Sequence, residues 1–140
     1  MMNTARFEKL AKELALCAGL ASDDPFHETR VMKVNGLDTL LFYDERFDPE
    51  RLQIRMDFGG LPKDPVQLNA LLLSVLSLNF VYGMGGLAVF SVDSSNAHLV
   101  LTTQHGLDMA VTAQDMLAVL QESHAQAVSA WDELNANGFF

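Results

Sequence analysis

Residues 64–83 read DPVQLNALLLSVLSLNFVYG, and this segment carries the strongest helix signals in the chain. Asp64 can cap the free amide groups of a first helical turn, Pro65 suits the first helical position, and Gly83 can adopt the left-handed conformation that ends a helix. At about 100° per residue, the apolar side chains in between fall on two opposite faces. The sequence therefore predicts a long central helix that is apolar on both sides.

The two apolar faces of this helix need different partners. The first has the width expected of a helix packed on a core and comprises Leu68, Leu71, Leu72, Val75 and Leu78. The second comprises Val66, Ala70, Leu73, Leu76 and Phe80. A chain of 140 residues forms one domain of common size and does not easily surround a helix with two deep layers. We therefore expect the second face to pack against another copy of the chain, in a homodimer.

The charge distribution argues against nucleic acid as a ligand. The net charge is −9, all nine Lys and Arg residues precede residue 64, and residues 64–140 carry seven acidic residues. Binding to nucleic acid depends on neutralising phosphates with basic side chains, which this half of the chain lacks. A composition of 49% hydrophobic and 19% charged residues is that of a folded globular protein.

The hydropathy pattern predicts neither membrane insertion nor a secretory signal. The longest apolar run, residues 70–82, contains Ser74, Ser77 and Asn79 and is too short to span about 30 Å of hydrocarbon. Neither terminus combines basic, apolar and small residues as a signal peptide does. We therefore expect a cytoplasmic protein.

The segment before the central helix predicts one helix and three strands. A helix over residues 4–18 places Phe7, Leu10, Ala11, Leu14 and Cys17 on one face. From His27 the apolar pattern has a period of two, and strands over residues 27–34 and 37–44 flank Asn35-Gly36, which favours a type I′ hairpin turn. The second of these strands is apolar on both faces. A third strand over residues 52–58 has one apolar and one polar face.

The segment after the central helix predicts further strands over residues 87–92 and 97–103, a short third strand around Leu107 to Val111, and a last helix. Thr112 and Asp115 form a capping-box-like start for that helix. Its apolar side comprises Ala113, Leu117, Leu120, His124, Ala127, Trp131 and Leu134, and Asn137-Gly138 closes it. This order predicts an α+β fold, an antiparallel twisted sheet with three helices, in a single domain over residues 1–140.

No group of residues predicts catalysis. The best candidate for a metal site is His98 with His105 and Asp108, but no HExxH motif or cysteine pair accompanies it. Cys17, the single cysteine, falls on the apolar side of the first helix, which favours a small buried hydrophobe over a reactive thiol. We therefore expect no enzymatic activity, no metal and no cofactor.

The order of elements matches a family pattern. Residues 71–79, Leu-Leu-Leu-Ser-Val-Leu-Ser-Leu-Asn, precede glycines, a strand hairpin and an amphipathic helix that bears Trp131. This pattern resembles the CesT-type (Tir chaperone) family, the class I chaperones of type III secretion, over nearly the whole chain. The resemblance implies an acidic homodimer in the bacterial cytoplasm. Such a dimer binds an extended segment near the amino terminus of a secreted effector and keeps it ready for export, without ATP hydrolysis.

The resemblance also assigns surfaces and partners. It implies that the effector, a second copy of the chain and the secretion apparatus are the partners. The dimer interface falls on the second face of the central helix, where Ala70 and Ser77 permit close approach, and comprises Val66, Ala70, Leu73, Leu76, Ser77 and Phe80. The client surface falls on the first helix and the sheet, where the apolar residues off the core stripes are Leu16, Leu20, Met32, Leu40 and Phe42. Each of these five can also be an ordinary core residue.

Two other functions stay open at this point. On the same fold, the chain can be a cytoplasmic adaptor or regulator that binds a folded protein and has no secretion client. A small enzyme that uses His98, His105 and Asp108 would reveal itself by stoichiometric bound metal. The folding state of the bound partner distinguishes the chaperone from the adaptor.

Overall fold

Nine helices and strands follow one another over the residues that the computed structural model describes, 2–83, 88–107 and 112–136. The helices are α1 (Met2–Cys17), α2 (Phe26–Thr29), α3 (Pro65–Gly83) and α4 (Ala113–Ala136). The strands are β1 (Val31–Val34), β2 (Leu37–Phe42), β3 (Arg51–Gly60), β4 (Ala88–Asp93) and β5 (His98–Gly106). None of the helices within these ranges has the length and hydropathy needed to cross a membrane. The α+β fold predicted from the sequence is confirmed.

Within the described residues, the strands form one antiparallel sheet in the order β1-β2-β3-β5-β4. β1 and β2 make the predicted hairpin around Asn35 and Gly36, whose φ angles of 49° and 92° are both positive, as a type I′ turn requires. β3 and β5 form the central ladder, with a register shift between Asp57 and Gly59. The two edges of the sheet are therefore β1 and β4.

The core lies on one face of the sheet, which we call the inner face. In β3, Leu52, Ile54, Met56 and Phe58 are buried on this face, while Gln53, Arg55 and Asp57 are half-buried on the outer face. α1 joins the core through Phe7, whose ring stacks on that of Tyr43 with 5.2 Å between centroids. α4 contacts α1, β1 and β3. The predicted division of the third strand into a buried and a wet face is confirmed.

α3 begins and ends where the sequence predicts. The carboxylate of Asp64 accepts a hydrogen bond from the backbone N–H of Gln67 at 3.0 Å, and the helix ends at Gly83. On its first face Leu71, Val75 and Leu78 are buried, and the helix contacts β4 and α4. The predicted packing of this face against the sheet is therefore confirmed.

Residues 26–29 form the short helix α2, so the prediction of a strand beginning at His27 is wrong. The carboxylate of Asp24 accepts a hydrogen bond from the backbone N–H of Phe26 at 2.9 Å, and the hydroxyl of Thr29 donates to the carbonyl of Pro25 at 2.9 Å. Phe26 is fully buried. Local hydrogen bonds and the burial of one aromatic ring thus override the period-two pattern, and the strand begins only at Val31.

Cys17 is exposed, so the prediction that it is buried is also wrong. The buried residues of the last turn are Leu14 and Ala15. The reason is the way the helix ends: Gly19 takes a φ of 73°, and the backbone N–H of Leu20 donates to the carbonyl of Ala15 at 2.9 Å. This turn brings Leu20 back onto the core and leaves Cys17 facing outward.

On α4, Ala113, Leu120 and Ala127 are buried as predicted, but the prediction is wrong by one residue at two positions. Met116 and Ser123 are buried, whereas Leu117 and His124 are half-buried. The predicted start is confirmed, since Thr112 and Asp115 exchange two hydrogen bonds at 3.1 Å each. The side chains of Trp131 and Leu134, the helix end at Asn137-Gly138 and residues 108–111 of the predicted short strand lie outside the described residues.

Candidate functional site

The second face of α3 is an exposed apolar surface, which we call the α3 strip and define as Val66, Ala70, Leu73, Leu76, Ser77 and Phe80. Val66, Leu73, Leu76 and Phe80 are 75%, 68%, 63% and 74% exposed, while Leu71 on the opposite face is fully buried. Ala70 is half-buried. The hydroxyl of Ser77 donates to the carbonyl of Leu73 at 3.0 Å, so its polar group is satisfied within the helix. The strip can therefore lose its water without leaving a polar group unpaired.

The spacing within the α3 strip suits contact with another helix. Residues 66, 70, 73, 77 and 80 alternate steps of four and three, the spacing by which side chains of one helix insert between those of a neighbour. Large side chains at Val66, Leu73 and Phe80 alternate with the small ones at Ala70 and Ser77. Small residues let two helix backbones approach closely, and the large ones fill the gaps.

The β4 edge of the sheet is covered by α3. The side chain of Asn79 donates to the carbonyl of Phe90 at 3.1 Å and accepts from the backbone N–H of Phe90 at 2.6 Å. These two bonds take the place of a neighbouring strand at the centre of β4. An exposed strand edge is a template for pairing with other chains, so Asn79 removes this possibility where it acts.

The β1 edge remains available. Val34 and Leu37 flank the two-residue turn, so the backbone groups of Val34 and Met32 bond to β2, while those of Val31 and Lys33 point away from the sheet. The N–H of Val31 is taken by the hydroxyl of Thr29 at 3.2 Å. Within the described part of the chain, no hydrogen bond reaches the outward backbone groups of Lys33. This edge can therefore accept a further strand.

The outer face of the sheet is an open groove of about 820 Å³. Its floor mixes apolar side chains, such as Leu40 and Val100, with polar ones, such as Gln53 and Thr102. The guanidinium of Arg55 lies 4.3 Å from the centroid of the Phe42 ring, and it also donates to the side chain of Gln53. Phe42 is thus capped by a cation and is less open than its sequence position suggests.

The five residues predicted to contact a client do not form one patch. Leu40 and Phe42 lie on the outer face of the sheet. Met32 lies on the inner face and, like Leu20, packs against the core. Leu16 is 78% exposed on α1. Of the five, only Met32 lies on the edge strand β1, where a strand-like ligand can reach it, while Leu40 lies one strand further in on β2.

The two histidines of the predicted metal site lie far apart on β5. His98 lies at the start of β5, where its Nδ1 contacts the carboxylate of Asp57 at 2.8 Å. His105 lies seven residues further on, next to Thr103 and Ser123, and burial lowers its pKa below the ordinary value of 6.5. Asp108 lies outside the described residues. Among the residues that are described, no cluster of three or more His, Cys, Asp or Glu side chains could hold a metal.

The sequence pattern does not predict two features of the candidate site. Asn79 reads only as a polar interruption of an apolar helix, and nothing local indicates that it reaches the edge of β4. Phe47 is 87% exposed in the loop between β2 and β3, where it belongs to no periodic stripe. An isolated aromatic residue among charged loop residues is the only sequence signal for it.

Comparison with known proteins identifies relatives of this chain. The model of the Tir chaperone protein (CesT) family matches residues 9–132. Six chains of solved structures match significantly. One of them, from the structure of the HopA1-SchA chaperone-effector complex, has a TM-score of 0.54 and 12% sequence identity, over 89% of this chain and 95% of that chain. Among curated proteins there is no significant match. At 12% identity the structural likeness concerns the fold.

Proposed function

Because this chain belongs to the Tir chaperone protein (CesT) family, a family of type III secretion chaperones, we propose that it binds an extended segment near the amino terminus of a secreted effector. The solved chain of similar fold comes from a chaperone-effector complex. In this proposal the protein keeps its client unfolded and ready for export, in the bacterial cytoplasm. It uses binding energy alone, without a cofactor or a catalysed reaction, and hands the client to the secretion apparatus.

The observation that carries the proposal is the contrast between the two sheet edges. β4 is covered by Asn79 of α3, while β1 presents the outward backbone groups of Lys33. An extended peptide can add to such an edge as another strand, with backbone hydrogen bonds for affinity and alternate side chains for specificity. One edge is therefore reserved for a client and the other is closed.

The apolar residues at this edge suit both faces of an added strand. Alternate side chains of a strand point to opposite faces of the sheet. One set would contact Val31 on the outer face, and the other would contact Met32 on the inner face. Burying an apolar side chain contributes roughly 1.5 to 3 kcal/mol, while ordering a disordered segment costs several kcal/mol. A client must therefore bring many anchors, and a long wrapped segment with further contacts at Leu20, Phe42 and Leu16 supplies them.

The α3 strip is our proposed dimer interface. If two copies cross antiparallel with Leu73 on the twofold axis, Ala70 of one copy faces Leu76 of the other, and Val66 faces Phe80. Leu76 of one copy then meets the small Ala70 of the other, while Leu73 meets its own copy on the axis. A dimer of this kind doubles the client surface, so that one long segment can contact both copies.

The experiment that tests the proposal is recovery of the bound partner from the native organism. We expect a partner that loses binding when its amino-terminal segment is deleted and keeps binding when its folded domains are deleted. The opposite pattern would reject the chaperone function.

A second candidate function, a protein-binding adaptor, is favoured by Phe47. The carbonyl of Asp44 accepts from the N–H groups of Phe47 at 3.0 Å and Asp48 at 3.1 Å, and the Asp44 carboxylate accepts three bonds from Arg46, which lowers the pKa of Asp44. Phe47 is therefore an exposed aromatic ring on a loop that hydrogen bonds hold in one conformation. Such a ring can insert into a preformed pocket, and a folded partner can offer one. Recovery of a folded partner whose affinity falls in Phe47→Ala would support the adaptor.

A further inference from the structure

A groove of about 420 Å³ lies between α1 and α2, on the side of the molecule where β1 begins. We call it the basic groove and define it by Lys9 and Lys12 of α1, His27 of α2, and Arg30, which ends α2. Glu8 also lines it and is its one acidic residue. The chain carries a net charge of −9, so a concave surface with this excess of basic groups stands out from its surroundings.

The acidic residue of the groove is already engaged. Arg30 donates to the carboxylate of Glu8, and it also donates to the carbonyls of Phe26 at 3.3 Å and His27 at 3.0 Å. Its guanidinium lies 5.6 Å from the centroid of the Phe26 ring. Arg30 is therefore a fixed part of the wall, and Glu8 does not neutralise the other cations.

The two lysines are free to meet a ligand. Lys9 lies 4.0 Å from Glu13 in an exposed pair, the kind that contributes little. Lys12 has no acidic partner within the described residues. His27 donates from Nε2 to the carbonyl of Ala21 at 2.9 Å, which fixes its ring beside the groove.

The groove continues directly into the open strand edge. Arg30 is followed by Val31, the first residue of β1, and Lys33 lies two positions further along the same edge. A peptide that pairs with β1 and extends past Val31 would thus run from Lys33 past Arg30 toward Lys12 and Lys9. On this course Lys33 pairs with Asp38 at 2.9 Å and Arg30 pairs with Glu8, so the uncompensated positive charge is that of Lys9 and Lys12. Residues 64–140 of the chain contain no Lys or Arg.

We propose that the basic groove binds acidic side chains of the extended segment that pairs with β1, so that clients of this protein carry Asp or Glu beside their apolar anchors. This inference rests on the proposed function and adds the chemistry of the client. Opposite charges across a partly exposed groove speed encounter and fix the register of a strand that could otherwise slide along the edge.

A pair of synthetic peptides tests the inference without a known client. The probes are peptides of about eight residues in which Val alternates with Glu or with Lys, both able to add as a strand. Binding is followed by the shifts of backbone amide signals in nuclear magnetic resonance. We expect the Val-Glu peptide to bind roughly fivefold more tightly than the Val-Lys peptide, and to shift residues 9–12 and 27–33. The preference should shrink as the salt concentration rises.

Charge reversals supply the controls. Lys9→Glu with Lys12→Glu should abolish the preference, and because both side chains are exposed the fold should be retained, as circular dichroism can verify. Lys63→Glu with Arg51→Glu changes the net charge equally, at exposed positions outside the groove, and should keep the preference. Equal binding of both peptides, or no binding of either, would overturn the inference. Neither result bears on the partner recovery that tests the chaperone function itself.

Discussion

At the scale of single residues, the surroundings of His105 predict how the stability of the fold depends on pH. Its Nε2 lies 2.9 Å from the hydroxyl of Thr103, and the hydroxyl of Ser123 on α4 lies 3.3 Å from that of Thr103. Thr103 and Ser123 are both buried, so this polar cluster joins α4 to β5 inside the core. Burial lowers the pKa of His105, and the carboxylate of Glu122 opposes this only in part.

The lowered pKa predicts a loss of stability in acid. The unfolded chain binds a proton at His105 more readily than the folded chain does, so the free energy of unfolding falls as the pH drops below the ordinary value of 6.5. Above that pH the group has no effect. In urea titrations, the free energy of unfolding should depend less on pH in His105→Gln than in the unaltered protein, between about pH 7 and pH 5. If the slope of the free energy of unfolding against pH is the same in this variant, groups other than His105 cause the loss of stability in acid.

Ser123→Ala is the matched control for this prediction. It removes a hydroxyl from the same cluster but keeps the imidazole, so it should lower stability by about 1 kcal/mol at every pH and leave the slope intact.

At the scale of single elements, α3 contributes to the fold and to the proposed dimer. One face packs on β4 and α4, Asn79 closes the β4 edge, and the α3 strip is left exposed. The high exposure of Val66, Leu73, Leu76 and Phe80 shows that no described part of the chain covers this second face. The helix thus accounts both for the closed edge and for the proposed dimer.

The dimer prediction belongs to this helix. Leu73→Asp and Leu76→Asp each place a charge in the proposed interface, where burial of an unpaired charge is costly, and should convert the dimer to a monomer. Light scattering should give about twice the 15.4 kDa chain mass for the unaltered protein and the single mass for these variants.

Leu16→Asp is the matched control for the dimer prediction. Leu16 is as exposed as the α3 strip but lies on α1, so this variant should remain dimeric. A stable monomer of the unaltered protein at micromolar concentration would contradict the proposed assembly.

The elements that could be predicted from the sequence are those whose signals lie in neighbouring residues. The cap at Asp64, the turn at Asn35-Gly36 and the alternation in β3 are fixed by neighbouring residues, and all three are confirmed. α2 depends on burial of Phe26, and the exposure of Cys17 depends on how the chain turns back through Leu20. These are tertiary effects, which periodicity does not encode.

At the scale of the whole molecule, the sheet has one closed edge, one open edge and an uneven charge distribution. The candidate surfaces could be predicted only in part, because the residues named from their apolar character are divided by the sheet between two faces. Leu40 and Met32 read alike in the sequence, yet only the assembled sheet shows that Met32 lies on the edge strand β1 and Leu40 on the opposite face of the internal strand β2. The closure of β4 by Asn79 and the basic groove require the assembled fold.

Hydrogen exchange on the complex with the native partner tests the central claim most directly. If an extended client segment pairs with β1, the amide of Lys33 should gain protection on binding, while that of Phe90, already bonded to Asn79, should not change. The partner's amino-terminal segment should exchange freely alone and become protected in the complex. Protection confined to a folded domain of the partner, with Lys33 unchanged, would contradict the account.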